Sequence, residues 1–230
     1  MNFQDTQLIG VLARAESTVS SLSDLLGGLV EKFAARGYSL YLVGGSVRDA
    51  LLGRLGNDLD FTTPARPDVV KEILDEWAET VWDTGIDFGT VSAAYKGQQI
   101  EITTFRSDSY DGQSRNPEVV YGDTLEGDLV RRDFKVNAMA IELLADASFT
   151  FHDPLHGLQD VADRVLDTPD KPEISFHDDP LRMLRAARFA SQLEFRVADR
   201  VVDAMRDMAG EIQRITVERV QVELDKLICG

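Results

Sequence analysis

The sequence is poor in the residues that form disulfides and zinc sites. It contains one cysteine, Cys229, and three histidines, His152, His156 and His177. One thiol cannot close an internal disulfide, so we expect a protein of the reducing cytoplasm. The histidines have no Cys or His partners at the spacing of zinc ligands, so no zinc site is predicted.

Long apolar runs and an excess of basic residues are also absent. No stretch approaches the roughly eighteen apolar residues of a membrane helix, so no membrane partner is expected. Residues 1–10 lack the basic start and apolar run of a signal peptide. Lys and Arg number 24 against 40 Asp and Glu, which gives a net charge of −16. Bulk charge therefore argues against nonspecific nucleic-acid binding, although a locally positive site could still accept RNA as a substrate.

The order of elements predicts an α/β (α+β) fold with a mixed sheet, followed by a helical domain. The 230 residues are 43% hydrophobic, enough for a buried core in one large or two modest domains. We expect a helical extension over residues 1–28, an α/β domain over 29–163 and helices over 164–230. The last helix stops with the chain, which we interpret as a truncation before further domains. The sequence leaves the oligomeric state open.

Local patterns place the main elements. Residues 1–23 predict a loosely attached helix, and residues 38–43 and 58–63 predict strands. Residues 89–95 and 99–105 predict the two strands of a hairpin across Lys96–Gly97–Gln98, and residues 106–128 predict a long loop rich in Asp, Gly and Ser. Further helices are predicted at 67–79, 175–193, 197–209 and 216–228.

The strongest candidate site is a pair of carboxylates on one predicted strand. Asp58 and Asp60 stand at positions i and i+2, so both side chains point to the same face. Two close anions suit Mg²⁺, whose octahedron can be completed by triphosphate oxygens. Two such ions could activate an attacking hydroxyl and neutralise the leaving oxygens. Glu101, on the neighbouring hairpin, could add a third carboxylate; the alternative is a solvated strand edge.

A glycine pair strengthens the catalytic interpretation. Gly44 and Gly45 follow a predicted strand and open a short helix, so backbone N–H groups there can approach phosphates closely. Arg48, about one turn into that helix, can reach the same phosphates. The glycine pair alone would indicate only a tight turn, but the combination with Asp58 and Asp60 is more specific.

The segment Arg131–Arg132–Asp133–Phe134 is the second candidate. An arginine in it can bind a triphosphate as a fork, and Asp133 can accept a hydrogen bond from a ribose hydroxyl. The alternative is the start of a helix with a capping Asp and exposed arginines.

The third candidate is the segment 178–189. Arg182, Arg185 and Arg188 recur every three residues on one face of the predicted helix. Asp179 and Arg182, three apart, offer an acceptor and a donor fork that together can read the edge of a nucleobase. The alternative is a surface helix with internal Asp–Arg pairs.

These segments, in this order, resemble the motifs of class II tRNA nucleotidyltransferases. That family includes CCA-adding enzymes, their CC-adding and A-adding relatives, and bacterial poly(A) polymerases. The resemblance covers roughly residues 29–228 and rests on the motifs LVGGSVRDALLG, DLDFTT, RRDFKVNAMA, HDPLHGLQDVADRVLDTP, DDPLRMLRAARFASQLEF and VERVQVELDKL.

The resemblance implies a polymerase-β-like head and a helical neck, with two Mg²⁺ ions, CTP and ATP as substrates, and the 3′ end of tRNA as the acceptor. It implies metal binding by Asp58 and Asp60. It further implies that the triphosphate is bound by Gly45, Arg48 and Arg132, and that the ribose is bound by Asp133. The base would be read by Asp179 and Arg182, and the nucleotide would be supported by Arg185 and Arg188. One departure is Asp178, where relatives usually carry Glu; we expect it to shift the geometry only slightly.

CCA addition to tRNA is therefore the favoured function. Three alternatives stay open: poly(A) polymerisation, CC- or A-addition, and an NTP-binding module with little RNA turnover. The extension of tRNA lacking CCA, with CTP and ATP supplied separately, distinguishes them.

Overall fold

The computed structural model describes residues 3–107 and 120–230. The long loop predicted over residues 106–128 therefore lies mostly outside the described residues. At its two ends, short strands pair Arg106 with Tyr121, and a helix begins at Leu125.

A mixed seven-stranded sheet forms the centre of the molecule, as the sequence predicts. Its strand order is β3-β4-β5-β2-β1-β8-β9, and the β2–β5 pair is parallel whereas the other neighbours are antiparallel. The seven strands are β1 Leu40–Val43, β2 Asp58–Thr63, β3 Thr80–Trp82, β4 Thr90–Tyr95, β5 Gln98–Thr104, β8 Ala140–Leu143 and β9 Phe149–His152. Two short pairs lie outside this sheet: β6 Arg106–Ser107 with β7 Val120–Tyr121, and β10 Val165–Leu166 with β11 Arg196–Val197.

Helices cover the sheet and form the C-terminal region. They are α1 Phe3–Ala35, α2 Gly45–Leu51, α3 Pro67–Asp75, α4 Leu125–Val130, α5 Gly157–Asp163, α6 Pro172–Asp178, α7 Leu181–Leu193, α8 Asp199–Asp207 and α9 Val217–Cys229. The change from a mixed sheet to helices confirms the predicted fold class. None of the helices within the described ranges is long and apolar enough to cross a bilayer.

The strand β2 owes its orientation to its alternating sequence. Leu59 and Phe61 are buried, whereas Asp58 and Asp60 are exposed on the opposite face. Burial of the two apolar side chains fixes the register, because a slip of one residue would turn them to solvent. Both carboxylates therefore share one face, as predicted.

The first helix differs from the prediction. The structure has a single helix α1 rather than a loosely attached segment, because buried apolar side chains recur from Val11 to Phe33 at intervals of three and four residues. Those buried at this stripe are Val11, Ala15, Val19, Leu22, Leu26, Leu29 and Phe33. Arg14 also donates from Nε to the carbonyl of Leu51 at 3.1 Å, at the C-terminal end of α2. The prediction of a loosely attached helix was wrong.

The helix predicted over residues 175–193 is two helices. The chain breaks at Asp179 and Pro180, where Asp179 adopts an extended conformation (φ −142°, ψ 97°). A residue before proline disfavours the helical region, since the proline ring would collide with its backbone. Asp179 therefore lies at the junction of α6 and α7, not on the helix that carries Arg182.

Candidate active site

Nearly all the predicted site residues meet in one cavity. This cavity, of about 480 Å³, opens between the end of β1, the strands β2 and β5, the turn after α4, and α7. Every predicted residue except Asp58 lines it. The lining comprises Val43, Gly44, Gly45, Arg48, Asp60, Phe61, Glu101, Thr103, Arg106, Arg131, Arg132, Asp133, Asn137, Asp179, Arg182, Arg185, Arg188 and Phe189.

A second hollow, of about 430 Å³, adjoins the first and shares Arg131, Arg132 and Arg182 with it. Its remaining wall includes the exposed apolar side chains of Val130 and Ile174. We assign the chemistry to the first cavity, because Asp60, Glu101 and the glycine turn all line it.

A larger residue in the glycine turn would crowd the arginine side chains beside it. Gly44 has φ +68°, and a Cβ atom there would lie 2.9 Å from Nη1 of Arg132 and 3.8 Å from Oδ2 of Asp60. A Cβ atom on Gly45 would lie 3.3 Å from Nη2 of Arg48. The left-handed backbone thus favours glycine at position 44, and a Cβ atom at either glycine would displace an arginine guanidinium.

The carboxylates come together through strand pairing. In the parallel β2–β5 ladder, Asp60 stands opposite Glu101. Asp60 is open to the cavity but is surrounded by protein on its other sides. This desolvation, and then the negative charge of Glu101, raise the pKa of Asp60, while Arg132 opposes the rise. The hydroxyl of Ser46 joins α2 to β2: it accepts from the N–H of Asp60 at 2.9 Å and lies 3.3 Å from the carbonyl of Asp58.

The carboxylates fit a hard divalent cation. Their oxygens are the donors that Mg²⁺ prefers, and a cation would relieve the crowded negative charge that raises the pKa of Asp60. Across the described parts of the chain, no group of three or more His, Cys, Asp or Glu side chains is arranged to hold a metal ion. Mg²⁺ usually takes one or two carboxylates from a protein and completes its shell with water and substrate phosphates.

Arg48 is buried and firmly held. Its Nε and Nη2 donate to the two carboxylate oxygens of Asp49, each at 2.9 Å, and Nη1 donates to Asn137 at 2.6 Å. These bonds use three of the five N–H donors of a guanidinium, which leaves donors for a ligand in the cavity.

Asp133 is buried, and both of its oxygens are occupied by protein groups. Oδ1 accepts from the N–H of Phe134 at 2.8 Å and from Asn137 at 2.9 Å, and Oδ2 accepts from Nε of Arg185 at 2.8 Å. Burial alone would raise the pKa of Asp133, but Arg185 and Asn137 hold it below its usual value. In this arrangement Asp133 orients Arg185, a role that the sequence did not indicate.

Asp179 and Arg182 face the same cavity but are not bonded to each other through their side chains. Oδ2 of Asp179 accepts from Arg219 on α9 at 2.9 Å, and Oδ1 accepts from the N–H of Leu181 at 3.2 Å. Arg182 donates to Ser175 and to the carbonyl of Arg131, each at 2.8 Å. Each side chain is therefore oriented by a separate partner.

Three arginines, two from α7 and one from α2, surround the aromatic ring of Phe189. The guanidinium carbons of Arg48, Arg185 and Arg188 lie 5.0, 5.2 and 4.1 Å from the ring centroid of Phe189. Arg188 also donates from Nε to the buried Glu223 of α9 at 2.5 Å. Arg188 thus connects the cavity to the last helix as well as lining it.

Sequence reasoning did not assign roles to several residues of the site. Asp128 is fully buried and binds Arg131 and Arg132; its position three and four residues before two arginines on a helix was a usable signal. Ser46 and Arg106 gave no such signal, because their partners are distant in sequence.

Known proteins are similar to this chain in sequence and in architecture. The signature of the poly A polymerase head domain matches residues 40–167, and that of a probable RNA and SrmB-binding site of polymerase A matches residues 194–230. A CCA-adding enzyme of Listeria monocytogenes is 39% identical over 203 residues, which make up 88% of this chain and 50% of that enzyme.

Solved structures extend the comparison. The Bacillus stearothermophilus CCA-adding enzyme in complex with CTP matches with a TM-score of 0.77 and 36% identity, over 90% of this chain and 49% of that chain. A tRNA nucleotidyltransferase solved with a primer tRNA and an incoming ATP analog matches with a TM-score of 0.70 and 28% identity, over 91% and 57% of the two chains. The chain spans about half the length of the curated relatives it matches.

Proposed function

The chain belongs to the family of the poly A polymerase head domain, and on that premise we propose that it adds CCA to the 3′ end of tRNA, using CTP and ATP. The observation that carries the proposal is a single cavity with Asp60, Glu101, a glycine turn and arginines on one side and Asp179 with Arg182 on the other. The relatives supply the substrate class, since one is a complex with CTP and another contains a primer tRNA.

We propose that Asp58 and Asp60 are the metal ligands and that Glu101 is a further catalytic carboxylate. Two Mg²⁺ ions bound here would favour the ionised 3′ hydroxyl and neutralise charge on the leaving pyrophosphate. Ser46 fixes the backbone of this strand, and Glu101 keeps the region negative enough to attract cations. The reaction forms a bond from the 3′ oxygen to the α-phosphorus and breaks the bond to the β-phosphate.

The triphosphate would lie against the glycine turn. The missing Cβ atoms of Gly44 and Gly45 allow phosphate oxygens to approach the backbone, and Arg48 and Arg132 supply positive charge beside it. Asp133 would accept from the ribose only by sharing an oxygen that now binds Arg185 or Asn137. The ribose contact and the orientation of Arg185 are then linked.

The base would lie between Asp179 and Arg182. A carboxylate accepts from N4 of cytosine or N6 of adenine, and a guanidinium donates to N3 or N1. Uracil and guanine present O4 or O6 instead, which would place two acceptors face to face. Asp179 is held by Arg219 and Arg182 is held by Ser175. These separate partners keep both side chains in place without an ion pair between them, so both remain able to bond to a base.

RNA would approach along the C-terminal helices. Residues 194–230, which include α8 and α9, match a probable RNA and SrmB-binding site. This match supports RNA binding at these helices although the chain as a whole is acidic. The cytoplasmic location expected from the single cysteine stays a prediction.

The test is extension of a tRNA that lacks CCA, with labelled CTP and ATP supplied singly and together with Mg²⁺. We expect CMP addition followed by one AMP, and no addition by Asp60→Asn, with Asp68→Asn on the exposed start of α3 as the matched control. AMP runs without CMP would identify a poly(A) polymerase, and CMP without AMP a CC-adding enzyme. Extension by Asp60→Asn at the wild-type rate would refute the assignment of the catalytic carboxylates.

A further inference from the structure

A fully buried carboxylate lies behind the arginines of the cavity. Asp128, on α4, has 0% of its surface exposed. Its Oδ2 accepts from Nη2 of Arg132 at 2.9 Å. Its Oδ1 accepts from Nη2 and Nε of Arg131 at 3.2 and 3.3 Å, and from the backbone N–H of Arg106 at 3.3 Å. Both oxygens are therefore used, and three separate residues depend on one side chain.

Charge explains why this carboxylate stays ionised. Burial alone would raise the pKa of Asp128, but Arg132 and Arg131 hold it below its usual value. If either the carboxylate or an arginine were removed, the charge of the remaining partner would be left uncompensated. Asp128 and the two arginines therefore hold one another in position. Arg106, the first residue of β6, is bound to the same oxygen through its backbone N–H.

The contacts continue from Asp128 to the base-reading side of the cavity. The carbonyl of Arg131 accepts from Nη2 of Arg182 at 2.8 Å. The guanidinium of Arg131 holds Asp128, while its carbonyl holds Arg182. One residue thus joins the buried carboxylate to the arginine proposed to read the base.

We propose that Asp128 is a positioning residue for nucleotide selection: it aims Arg132 at the triphosphate and fixes the Arg131 backbone against Arg182. The proposal rests on the proposed function, because it assumes a nucleotide in this cavity. Asp128 itself does not line the cavity, so it would act through the arginines that do.

The first experiment measures nucleotide affinity with Mg²⁺ by calorimetry for CTP, ATP, UTP and GTP. In Asp128→Asn, one acceptor becomes an amide donor that faces a guanidinium or an N–H. We expect CTP and ATP to bind about tenfold to a hundredfold more weakly, and their preference over UTP and GTP to narrow. The matched control is Asp123→Asn, five residues earlier, whose side chain is 92% exposed.

The readouts separate positioning from a general loss of structure. A merely structural role would lower the thermal unfolding temperature without changing the ratio of CTP to UTP affinity. In a double-mutant cycle, Asp128→Asn should weaken binding much less in the background of Arg132→Ala than in the wild type, because the group it positions is gone. Full additivity, or unchanged affinity and preference in folded Asp128→Asn, would overturn the proposal.

A measurement on the wild type covers the case in which the variant does not fold. Saturating CTP should slow hydrogen exchange at the Arg106 amide, since a nucleotide that fixes Arg132 also fixes Asp128. The Gly127 amide, which donates to Thr124 on the same helix at 3.2 Å, is the reference. Equal effects at both amides would refute the coupling. Absence of CTP and ATP binding by the wild type would instead refute the proposed function.

Discussion

The attachment of the last helix depends on a buried ion pair, and this gives the sharpest stability prediction. Among the residues of α9, all of which are described, Glu223 is the one that is buried. Its side chain is 5% exposed and that of its partner Arg188 is 11% exposed. Arg188 also donates to Gln192 at 3.0 Å, and Gln192 in turn donates to the carbonyl of Lys226 at 2.8 Å.

The perturbation is Glu223→Ala. It leaves Arg188 buried with its charge uncompensated, which costs about 3–5 kcal/mol when one partner of a buried pair is removed. We expect α9 to detach before the rest of the molecule unfolds, so native-state hydrogen exchange of its amides should rise by about a hundredfold or more.

The assay compares exchange of the α9 amides and urea unfolding in three proteins. Asp225→Ala, on the exposed side of the same helix, should change stability by less than about 0.5 kcal/mol. The double replacement Arg188→Met with Glu223→Leu should recover most of the loss, since apolar groups of similar volume need no charge compensation. If Glu223→Ala stays within about 1 kcal/mol of the Asp225→Ala control, the pair is effectively solvated and the reasoning is wrong.

The remaining predictions concern base selection and pH. In Asp179→Ala, use of CTP and ATP should fall, and discrimination against UTP and GTP should relax by about tenfold to a hundredfold, because the acceptor that repels O4 and O6 is gone. Single-turnover incorporation of all four nucleotides measures this change. An unchanged preference for C and A would mean that other residues select the base. Burial raises the pKa of Asp160 to about 6. Because the folded-state pKa lies above the unfolded one, the stability gained from the protonated form is present at low pH and is lost as pH rises through about 6. Asp160→Asn should therefore stabilise the protein near pH 7.5 by about 1 kcal/mol after discounting for solvent screening, and should give no gain near pH 4. Thermal unfolding at the two pH values tests the sign, and equal gains at both would contradict it.

Much of the site was predictable because its chemistry depends on short-range geometry. The alternation in β2 determines that Asp58 and Asp60 share a face, whatever the rest of the chain does. Lys96 and Gly97 close the β4–β5 hairpin with positive φ values of 47° and 79°, as two-residue turns require. Pro180 also indicates the end of a helix at the residue before it. The prediction of one helix over 175–193 was wrong because the apolar periodicity continues on both sides of this proline.

The edge of the sheet and the first helix were harder to predict. The short strand β3 adds to the sheet where the sequence indicated only the end of a helix, and its existence depends on pairing with β4. The apolar stripe of α1 was present in the sequence, but only the surface offered by α2, α3 and α5 makes its burial favourable.

The sequence by itself determined which chemical groups this protein has and which local faces they occupy. The tertiary structure alone decided their partners: Asp60 stands opposite Glu101, Arg48 binds Asn137 and Asp133 binds Arg185. Each of these pairs joins residues about forty or more positions apart. Periodicity carries no information at that range, because such contacts are set by strand order and by the packing of α7 against the head.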